Sequence, residues 1–156
     1  MRIRPYDARD AASVSQVYRR SVEALGPRDY TAEQVAAWAS LTPAPDAFHG
    51  RLSDGRAAFV AVDDIDAVIG FIDLEDDGHI DLLYCAPEAA GTGAAGALYE
   101  GVEALAHERG IARLYSEASE GALRFFVKRG FTMQHRRDLS LDGVAIHNYA
   151  VEKILK

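Results

Sequence analysis

The sequence predicts an α+β fold in α/β/α layers, with a mixed, mostly antiparallel central sheet of about six to seven strands flanked by about four helices. Three observations lead to this prediction. Apolar runs in the middle of the chain are joined by short turns such as Asp77-Gly78, which is typical of antiparallel hairpins. Stretches with helical periodicity precede and follow these runs. The 156 residues, 49% of them hydrophobic, can bury one core, and we predict a single domain over residues 1–156.

The first third of the chain predicts one strand followed by two helices. Residues 3–6 form the strand, and residues 8–25 carry apolar side chains at helical spacing up to Gly26-Pro27. Thr31 and Gln34 form a capping-box signature, which predicts a second helix that continues through Trp38. The Thr-Pro-Ala-Pro segment that follows closes this helix.

The rest of the chain predicts six strands and two helices. Gly110 and Gly130 mark the ends of the two helices, because glycine readily adopts the left-handed conformation found there. The predicted elements are, in order, strands over residues 57–62, 68–74 and 79–85, a helix over about 93–109, a strand over 111–117, a short helix around 123–127, and strands over 131–139 and 144–151.

Charge and composition exclude several classes of partner. The formal net charge of −7 argues against nucleic-acid binding, which relies on attraction to phosphates. The apolar runs are too short to span a bilayer and the N-terminus has no apolar signal core, so we expect a cytoplasmic protein without a membrane partner. Cys85 is the one cysteine and cannot form an internal disulfide, which fits that compartment. The spacing of histidine, cysteine and acidic residues predicts no metal site.

A glycine-rich loop is the strongest functional signal in the sequence. Residues 91–96, Gly-Thr-Gly-Ala-Ala-Gly, follow a predicted strand and open the long predicted helix. A helix start presents unpaired N–H groups and a partial positive charge. Such a loop is therefore suited to bind a phosphate or pyrophosphate group.

The same residues match the dinucleotide-binding pattern G-x-G-x-x-G, with Glu117 roughly 20 residues further on as the ribose-binding acid. Three features count against a nicotinamide enzyme. Residues 86–90 separate the strand from the first glycine, the preceding strands are joined by hairpins, and the remaining chain is too short for a second mononucleotide-binding half. A third interpretation is that the glycines serve only a tight turn.

At these residues the chain resembles the GNAT superfamily of acyl-CoA-dependent N-acyltransferases, and the likeness in element order covers nearly the whole chain. The family's loop, Gln/Arg-x-x-Gly-x-Gly/Ala, maps onto residues 90–95, and its aromatic-x-x-x-Gly-Phe signature maps onto residues 126–131. Ala90 replaces the usual Gln or Arg, and Phe126 replaces a tyrosine that often serves as the acid. The segment around Tyr30, Gln34 and Trp38 resembles the YafP-like bacterial branch.

The resemblance implies an N-acetyltransferase that moves the acetyl group of acetyl-CoA to a primary amine of a small molecule or peptide. It implies that the pantetheine arm pairs with the main chain of Leu83, Tyr84 and Cys85, with an N–H near Tyr84 facing the thioester oxygen. The strand after the loop would diverge from this one and leave a V-shaped slot. Many members form homodimers, and the resemblance allows one here. The remaining residues implied in cofactor binding are Gly91, Thr92, Gly93, Ala94, Ala95 and Phe126.

Asp81 is the first candidate for the general base, because a carboxylate in an otherwise apolar strand would have a raised pKa. Strand alternation places it on one face with His79, Leu83 and Cys85. The alternative is an exposed or ion-paired aspartate that only supports the strand. His79 is either a second candidate base or an exposed histidine at the strand end.

The acid that protonates the leaving thiolate stays open at this point. Tyr84, Tyr115 and Tyr149 are candidates, although such residues more often serve as core or cross-strand aromatics, and water is an alternative. Because Phe126 lacks a hydroxyl group, a second functional class is also open. The chain could be a CoA-binding sensor or interaction module with little turnover.

The acceptor pocket is predicted from the elements that cover it in the family. Tyr30 and Trp38 would form its walls, and Tyr149 would line it from the last strand. Carboxylates nearby, at Asp73 and Asp81, would suit an ammonium group or an aralkylamine. The alternative is that Trp38 only packs its helix against the sheet.

Overall fold

The computed structural model of the protein describes residues 1–155, which form seven strands in two sheets and five α-helices. The first sheet has the order β1 (Arg2–Pro5), β2 (Ala57–Val62), β3 (Val68–Leu74) and β4 (Leu83–Cys85), and all its pairs are antiparallel. The second has the order β5-β7-β6, also antiparallel, with β5 at Arg113–Ala118, β6 at Thr132–Leu141 and β7 at Val144–Ile154. The helices are α1 (Ala11–Leu25), α2 (Ala32–Ser40), α3 (Pro45–Leu52), α4 (Ala94–Glu108) and α5 (Glu120–Lys128).

Helices cover both faces of the sheets and bury two apolar clusters. The stripe of α4 that includes Leu98 and Val102 packs against one face, together with Phe126 of α5. The α1 side chains Val14 and Val17 pack in the second cluster, on the other face. Burial of these amphipathic stripes is the main force that fixes the layers.

The two sheets meet at a short parallel bridge between His79 and Tyr115. The Ile80 N–H donates to the Tyr115 carbonyl over 2.8 Å, and the Ser116 hydroxyl donates to the Ile80 carbonyl over 2.6 Å. Beyond Ile80 the chain leaves β5 and pairs with β3 only, as strand β4. A slot therefore opens between β4 and β5.

The predicted fold class is confirmed, with three differences in detail. The strands form two sheets, of four and three strands, instead of the one central sheet that was predicted. Helix α3 was not predicted, because Pro43 and Pro45 indicate a chain break, whereas Pro45 in fact occupies the first turn of a helix and proline is tolerated there. The predicted strand over residues 79–85 is limited to Leu83–Cys85. None of the helices in residues 1–155 is long and apolar enough to cross a membrane.

Candidate active site

A buried carboxylate interrupts the pairing of β4 with β3. Asp73 Oδ1 accepts hydrogen bonds from the N–H groups of Asp81, over 2.9 Å, and Leu82, over 2.8 Å. The Asp73 N–H in turn donates to the Leu82 carbonyl over 3.2 Å. Two consecutive residues of one strand thus face a single residue of the other, which is the arrangement of a β-bulge.

The bulge changes the face on which Asp81 lies. Ile80 and Leu83 contact the apolar cluster under α4, whereas Leu82 and Tyr84 contact the cluster under α1. Strict alternation would place residues 80, 82 and 84 on one face. The prediction that Asp81 shares a face with Leu83 is therefore wrong, because the extra residue at the bulge turns Asp81 toward the face of Tyr84.

Within residues 1–155, strand β4 has one hydrogen-bonding edge without a partner strand. Its register on β3 pairs Tyr84 with Phe71, and the hydrogen bonds two residues to either side show that this pair is of the hydrogen-bonded type. The main-chain groups of Leu83 and Cys85 therefore point away from β3 and into the slot. The free N–H groups are those on either side of Tyr84, and not that of Tyr84 itself.

The glycine loop leads from this slot into α4 with several amides unpaired. Gly91 and Gly93 have φ angles of 77° and 84°, and a side chain at either would meet nothing within 4 Å. No side-chain cap closes the start of α4. Within residues 1–155, no protein group accepts a hydrogen bond from the amides of Gly91, Gly93 and Ala95. These bare donors lie at the positive end of the helix dipole.

A cavity of about 420 Å³ opens at the slot and extends beneath α2 and α3. It brings together six of the residues predicted from the sequence. These are Tyr30, Trp38, Asp81, Leu83, Tyr84 and Phe126. The cavity wall does not include Asp73, His79, Cys85 or Tyr149, nor the loop residues Gly91, Thr92, Gly93, Ala94 and Ala95.

Aromatic rings form one wall of this cavity. The Tyr84 ring lies 4.4 Å from that of Tyr18 and 6.3 Å from that of Trp38, measured between centroids. Desolvation raises the pKa of Tyr84 well above its usual value. Tyr84 therefore keeps its proton at neutral pH and can donate a hydrogen bond.

Tyr30 connects this aromatic wall to β7 and to the start of α5. Its hydroxyl donates to the His147 carbonyl over 3.0 Å and accepts from the Glu120 N–H over 3.0 Å. Its ring also packs edge-on against Trp38, with centroids 5.7 Å apart. Tyr30 and Trp38 thus both pack a helix and form the cavity wall, so the two interpretations of Trp38 are compatible.

Asp81 faces the cavity and is also ion-paired. Its Oδ2 lies 3.2 Å from Arg56 Nη1 and 3.8 Å from Arg51 Nη1, and its side chain is 33% exposed. Within the described part of the chain, its Oδ1 accepts no hydrogen bond. One oxygen is thus held by arginine, while the other is free to accept a proton.

Asp73 lies beneath the site rather than in it. Its side chain is fully buried, and its Oδ2 accepts a hydrogen bond from Arg56 Nη1 over 2.7 Å. Desolvation raises the pKa of Asp73 to about 6, whereas hydrogen bonds to Asp54 and Asp73 raise the pKa of Arg56. Burial outweighs the ion pair for Asp73 because Arg56 divides its charge among several carboxylates. A buried carboxylate cannot touch a substrate, so the proposed substrate contact at Asp73 does not fit the structure.

His79 lies beside Tyr115 of β5, and its ring is hydrogen-bonded to two carboxylates. Its ring nitrogens are each 2.7 Å from an acid, Glu75 on one side and Glu117 on the other. The hydrogen bond to Glu117 is the main cause that raises the pKa of His79 to about 9. A protonated imidazole has no lone pair to offer, so this geometry does not support His79 as the general base.

We predict that His79→Gln removes a pH-dependent part of the stability. Because the pKa of His79 rises from 6.5 to about 9 on folding, its ion pairs stabilise the fold fully below pH 6.5, and this contribution is lost as pH rises through 9. Over this window the unfolding free energy of the wild type should fall by up to about 3 kcal/mol more than that of His79→Gln. Urea titrations at several pH values measure this, with His107→Gln as a control at a half-exposed histidine. Equal pH dependence in wild type and His79→Gln would contradict the prediction.

The other acid candidates and Cys85 lie away from the reacting centre. The Tyr149 hydroxyl donates to Glu120 over 2.7 Å, and the Tyr115 hydroxyl donates to Asp77. Neither tyrosine lines the cavity. Burial raises the pKa of the Cys85 thiol to about 11, so it remains protonated and is a poor nucleophile.

The sequence did not predict two charged residues of the cavity wall. Arg51 lies on α3, a helix that was missed because of the prolines before it. A proline at the first helical position is common, and this signal could have predicted the helix. Glu117 was considered only as a ribose-binding acid, but it lines the cavity and pairs with His79. No nicotinamide role fits, because the sheets are antiparallel.

Comparisons with known proteins agree with this geometry. The sequence model of the Acetyltransferase (GNAT) domain matches residues 27–153. A GCN5-related N-acetyltransferase from Rhodopseudomonas palustris has 34% identity and a TM-score of 0.91, covering 99% of this chain and 95% of that protein. The PaiA N-acetyltransferase of Thermoplasma acidophilum, solved with coenzyme A, shares the fold, with a TM-score of 0.78 and 20% identity over 98% of each chain.

Relatives known by sequence agree as well. Proteins called uncharacterized N-acetyltransferases in Mycobacterium tuberculosis and Mycobacterium bovis are 28% identical over 153 residues, covering 94% of this chain and 98% of theirs. The match to the family model spans most of the chain and includes both the free edge of β4 and the glycine loop. The chain therefore belongs to the GNAT superfamily of acyl-CoA-dependent N-acetyltransferases.

Proposed function

We propose that the protein transfers the acetyl group of acetyl-CoA to a primary amine of a small molecule or peptide, by direct attack with Asp81 as general base. The observation that carries the proposal is the slot between β4 and β5. The free main-chain edge of β4 opens onto it, and the bare amides of the glycine loop follow this strand along the chain, outside the cavity wall. A ligand with a peptide-like arm and a pyrophosphate group matches this pair of features.

The cofactor would extend from the slot beside β4, where its pantetheine arm lies, to the start of α4, where its pyrophosphate lies. Its pantetheine amides would pair with the main-chain groups of Leu83 and Cys85, as an added strand would. Its pyrophosphate would lie on the amides of residues 91–95, at the positive end of α4. Arg129 lies near this placement, because its guanidinium packs against Gly96 in the first turn of α4 and is paired with Glu100 over 3.2 Å. That guanidinium can contribute to binding a phosphate.

The reaction needs a neutral amine, a donor for the oxyanion and a proton for the thiolate. The amine nitrogen forms a bond to the acetyl carbon, and the carbon–sulfur bond breaks. Asp81 Oδ1 takes the proton that the amine loses, and the free N–H of Leu83 can stabilise the oxyanion. Tyr84, a neutral phenol in the cavity, can donate a hydrogen bond to the departing thiolate, and because burial favours its protonated form the thiolate takes its proton from solvent. Phe126 has no proton to give.

Two measurements on the purified protein test the proposal. Coenzyme A and acetyl-CoA should raise the melting temperature, since a ligand that binds only the folded state stabilises it. A free-thiol assay with a broad panel of amines should then detect acetyl transfer. If coenzyme A stabilises the fold but no amine is acetylated, the alternative of a CoA sensor with little turnover gains support, as the apolar Phe126 would allow. No stabilisation by coenzyme A would contradict both functions.

We predict that Gly93→Val weakens coenzyme A binding at least tenfold. Gly93 adopts a φ of 84°, which a β-branched residue reaches only with strain, so the amides at the start of α4 should move. Gly143→Val is the matched control, because Gly143 has a φ of 80° in the turn between β6 and β7, and its surroundings are equally open. Calorimetry measures both affinities. Equal losses in the two variants would show that the loop amides do not bind the cofactor.

Three finer assignments remain predictions, the first and last from the resemblance and the second from composition. They are membership of the YafP-like branch, a cytoplasmic location and a homodimer.

A further inference from the structure

Some of the charged side chains that face the cavity have a close ion-pair partner, and one does not. Glu117 is paired with His79 over 2.7 Å, and His147 is paired with Glu120. Arg51 has no comparable partner within residues 1–155. Its nearest carboxylate oxygen is Asp81 Oδ2 at 3.8 Å, too far for a hydrogen bond, and its side chain is 42% exposed. A guanidinium with unused donors faces the acceptor side of the cavity.

The position of Arg51 beside Asp81 gives the site two opposite charges a few ångströms apart. Asp81 has a free oxygen for an ammonium group, and Arg51 has free donors for a carboxylate. An α-amino acid carries an ammonium and a carboxylate at the same short separation. Because such a zwitterion is neutral overall, the net charge of −7 does not repel it, whereas it would repel a purely anionic acceptor.

Part of the acceptor side is apolar, although Ser119, His147 and Asn148 also line the cavity. The aromatic rings of Tyr18 and Trp38 continue into a set of aliphatic side chains that would enclose a hydrocarbon or aromatic group. These side chains are Leu41, Leu139, Leu141 and Ile146. An apolar side chain matches these residues better than the hydroxyl groups of an aminoglycoside, which would lose water against them.

We propose that the acceptor is a free α-amino acid with a large apolar side chain, and that Arg51 binds its carboxylate. This inference rests on the proposed function and adds the class of acceptor. The amine of the amino acid attacks the acetyl group as described above, and the products are an N-acetyl amino acid and coenzyme A. A peptide N-terminus lacks the adjacent carboxylate and should be a poorer acceptor.

Acceptors that share one side chain test this proposal. Phenylalanine, phenylalaninamide and phenethylamine keep the benzyl group and the amine but change the carboxylate, as do leucine, leucinamide and isoamylamine. The amides carry the less basic amines and so have more neutral amine at pH 7.5, which intrinsically favours them. We nevertheless expect kcat/KM for the free amino acids to exceed that of the amides and amines at least tenfold.

The variant Arg51→Met assigns the effect to one side chain. It should lower the ratio of kcat/KM for phenylalanine to kcat/KM for phenethylamine tenfold to a hundredfold, because only phenylalanine has the carboxylate, and it should leave coenzyme A affinity unchanged. Arg51→Lys should restore part of the preference, and Arg136→Met is the control at an exposed arginine on β6. If amines are acetylated but Arg51→Met affects all three compounds alike, the inference is wrong and the proposed function stands. If no amine is acetylated, both are wrong.

Discussion

Replacing Asp73 by alanine should lower the free energy of unfolding by about 3–5 kcal/mol, the largest stability effect we expect from one substitution in this chain. Asp73 is fully buried, binds Arg56 over 2.7 Å and accepts the amides of Asp81 and Leu82. Alanine would leave two main-chain donors and a mostly buried guanidinium without this acceptor. The bulge would lose its support at the same time, so acetyl transfer should fall as well.

A second variant of Asp73 separates the effect of its charge from that of its hydrogen bonds, and a third variant at an exposed aspartate is the control. Asp73→Asn keeps an oxygen that can accept the amides of Asp81 and Leu82 but removes the charge, so it should be less harmful than alanine. Asp64→Ala is the control, since the Asp64 side chain is fully exposed. Denaturant titration at pH 7 measures all three. An Asp73→Ala protein within 1 kcal/mol of the wild type would show that the carboxylate does not hold the bulge.

The titration of Asp73 gives this prediction a pH signature. Its pKa is raised from 3.8 to about 6 in the folded protein, so the folded state holds a proton that the unfolded state has already lost. The stability contributed by this group should therefore decrease as pH rises from about 4 to about 6. Asp73→Asn should lack this decrease, because its amide does not titrate in this range.

The layers of this fold could be predicted from the sequence because they depend on patterns that are visible within short stretches of consecutive residues. Turn residues such as Asp77-Gly78 and the apolar stripe of α4 carry the information in consecutive residues. The same holds for the glycine loop, where the positive φ angles at Gly91 and Gly93 require residues without a side chain. For this reason the cofactor side of the slot was more predictable than the acceptor side.

The acceptor side depends on contacts between distant residues. Asp73 alters the face of Asp81 through hydrogen bonds across two strands, and no local pattern shows that the regular alternation fails there. Glu117 and His79 are 38 positions apart, yet their ion pair decides that His79 is charged. Periodicity shows which residues can share a face, but it does not show which carboxylate meets which cation.

Replacing Asp81 by asparagine should reduce kcat/KM for the acceptor by about 10²–10⁴, the range expected for loss of a general base. Asparagine has nearly the same shape and can still accept a hydrogen bond from Arg56, but it cannot take a proton from the amine. The melting temperature and the coenzyme A affinity should therefore change little. Asp54→Asn is the matched control, since Asp54 also binds Arg56, over 2.9 Å, but lies outside the cavity.

The result for Asp81→Asn decides between two carboxylates, because Glu117 is the other acid in the cavity wall. The hydrogen bond from His79 lowers the pKa of Glu117, so Glu117 is a weaker base. The same hydrogen bond holds both side chains in place. Asp81 keeps one oxygen free of hydrogen bonds within the described residues. If Asp81→Asn retains activity within threefold and Glu117→Gln abolishes it, the proton passes to Glu117 and Asp81 serves only to position Arg51 and Arg56. A loss confined to Asp81→Asn assigns the proton transfer to the residue that the bulge turns into the cavity.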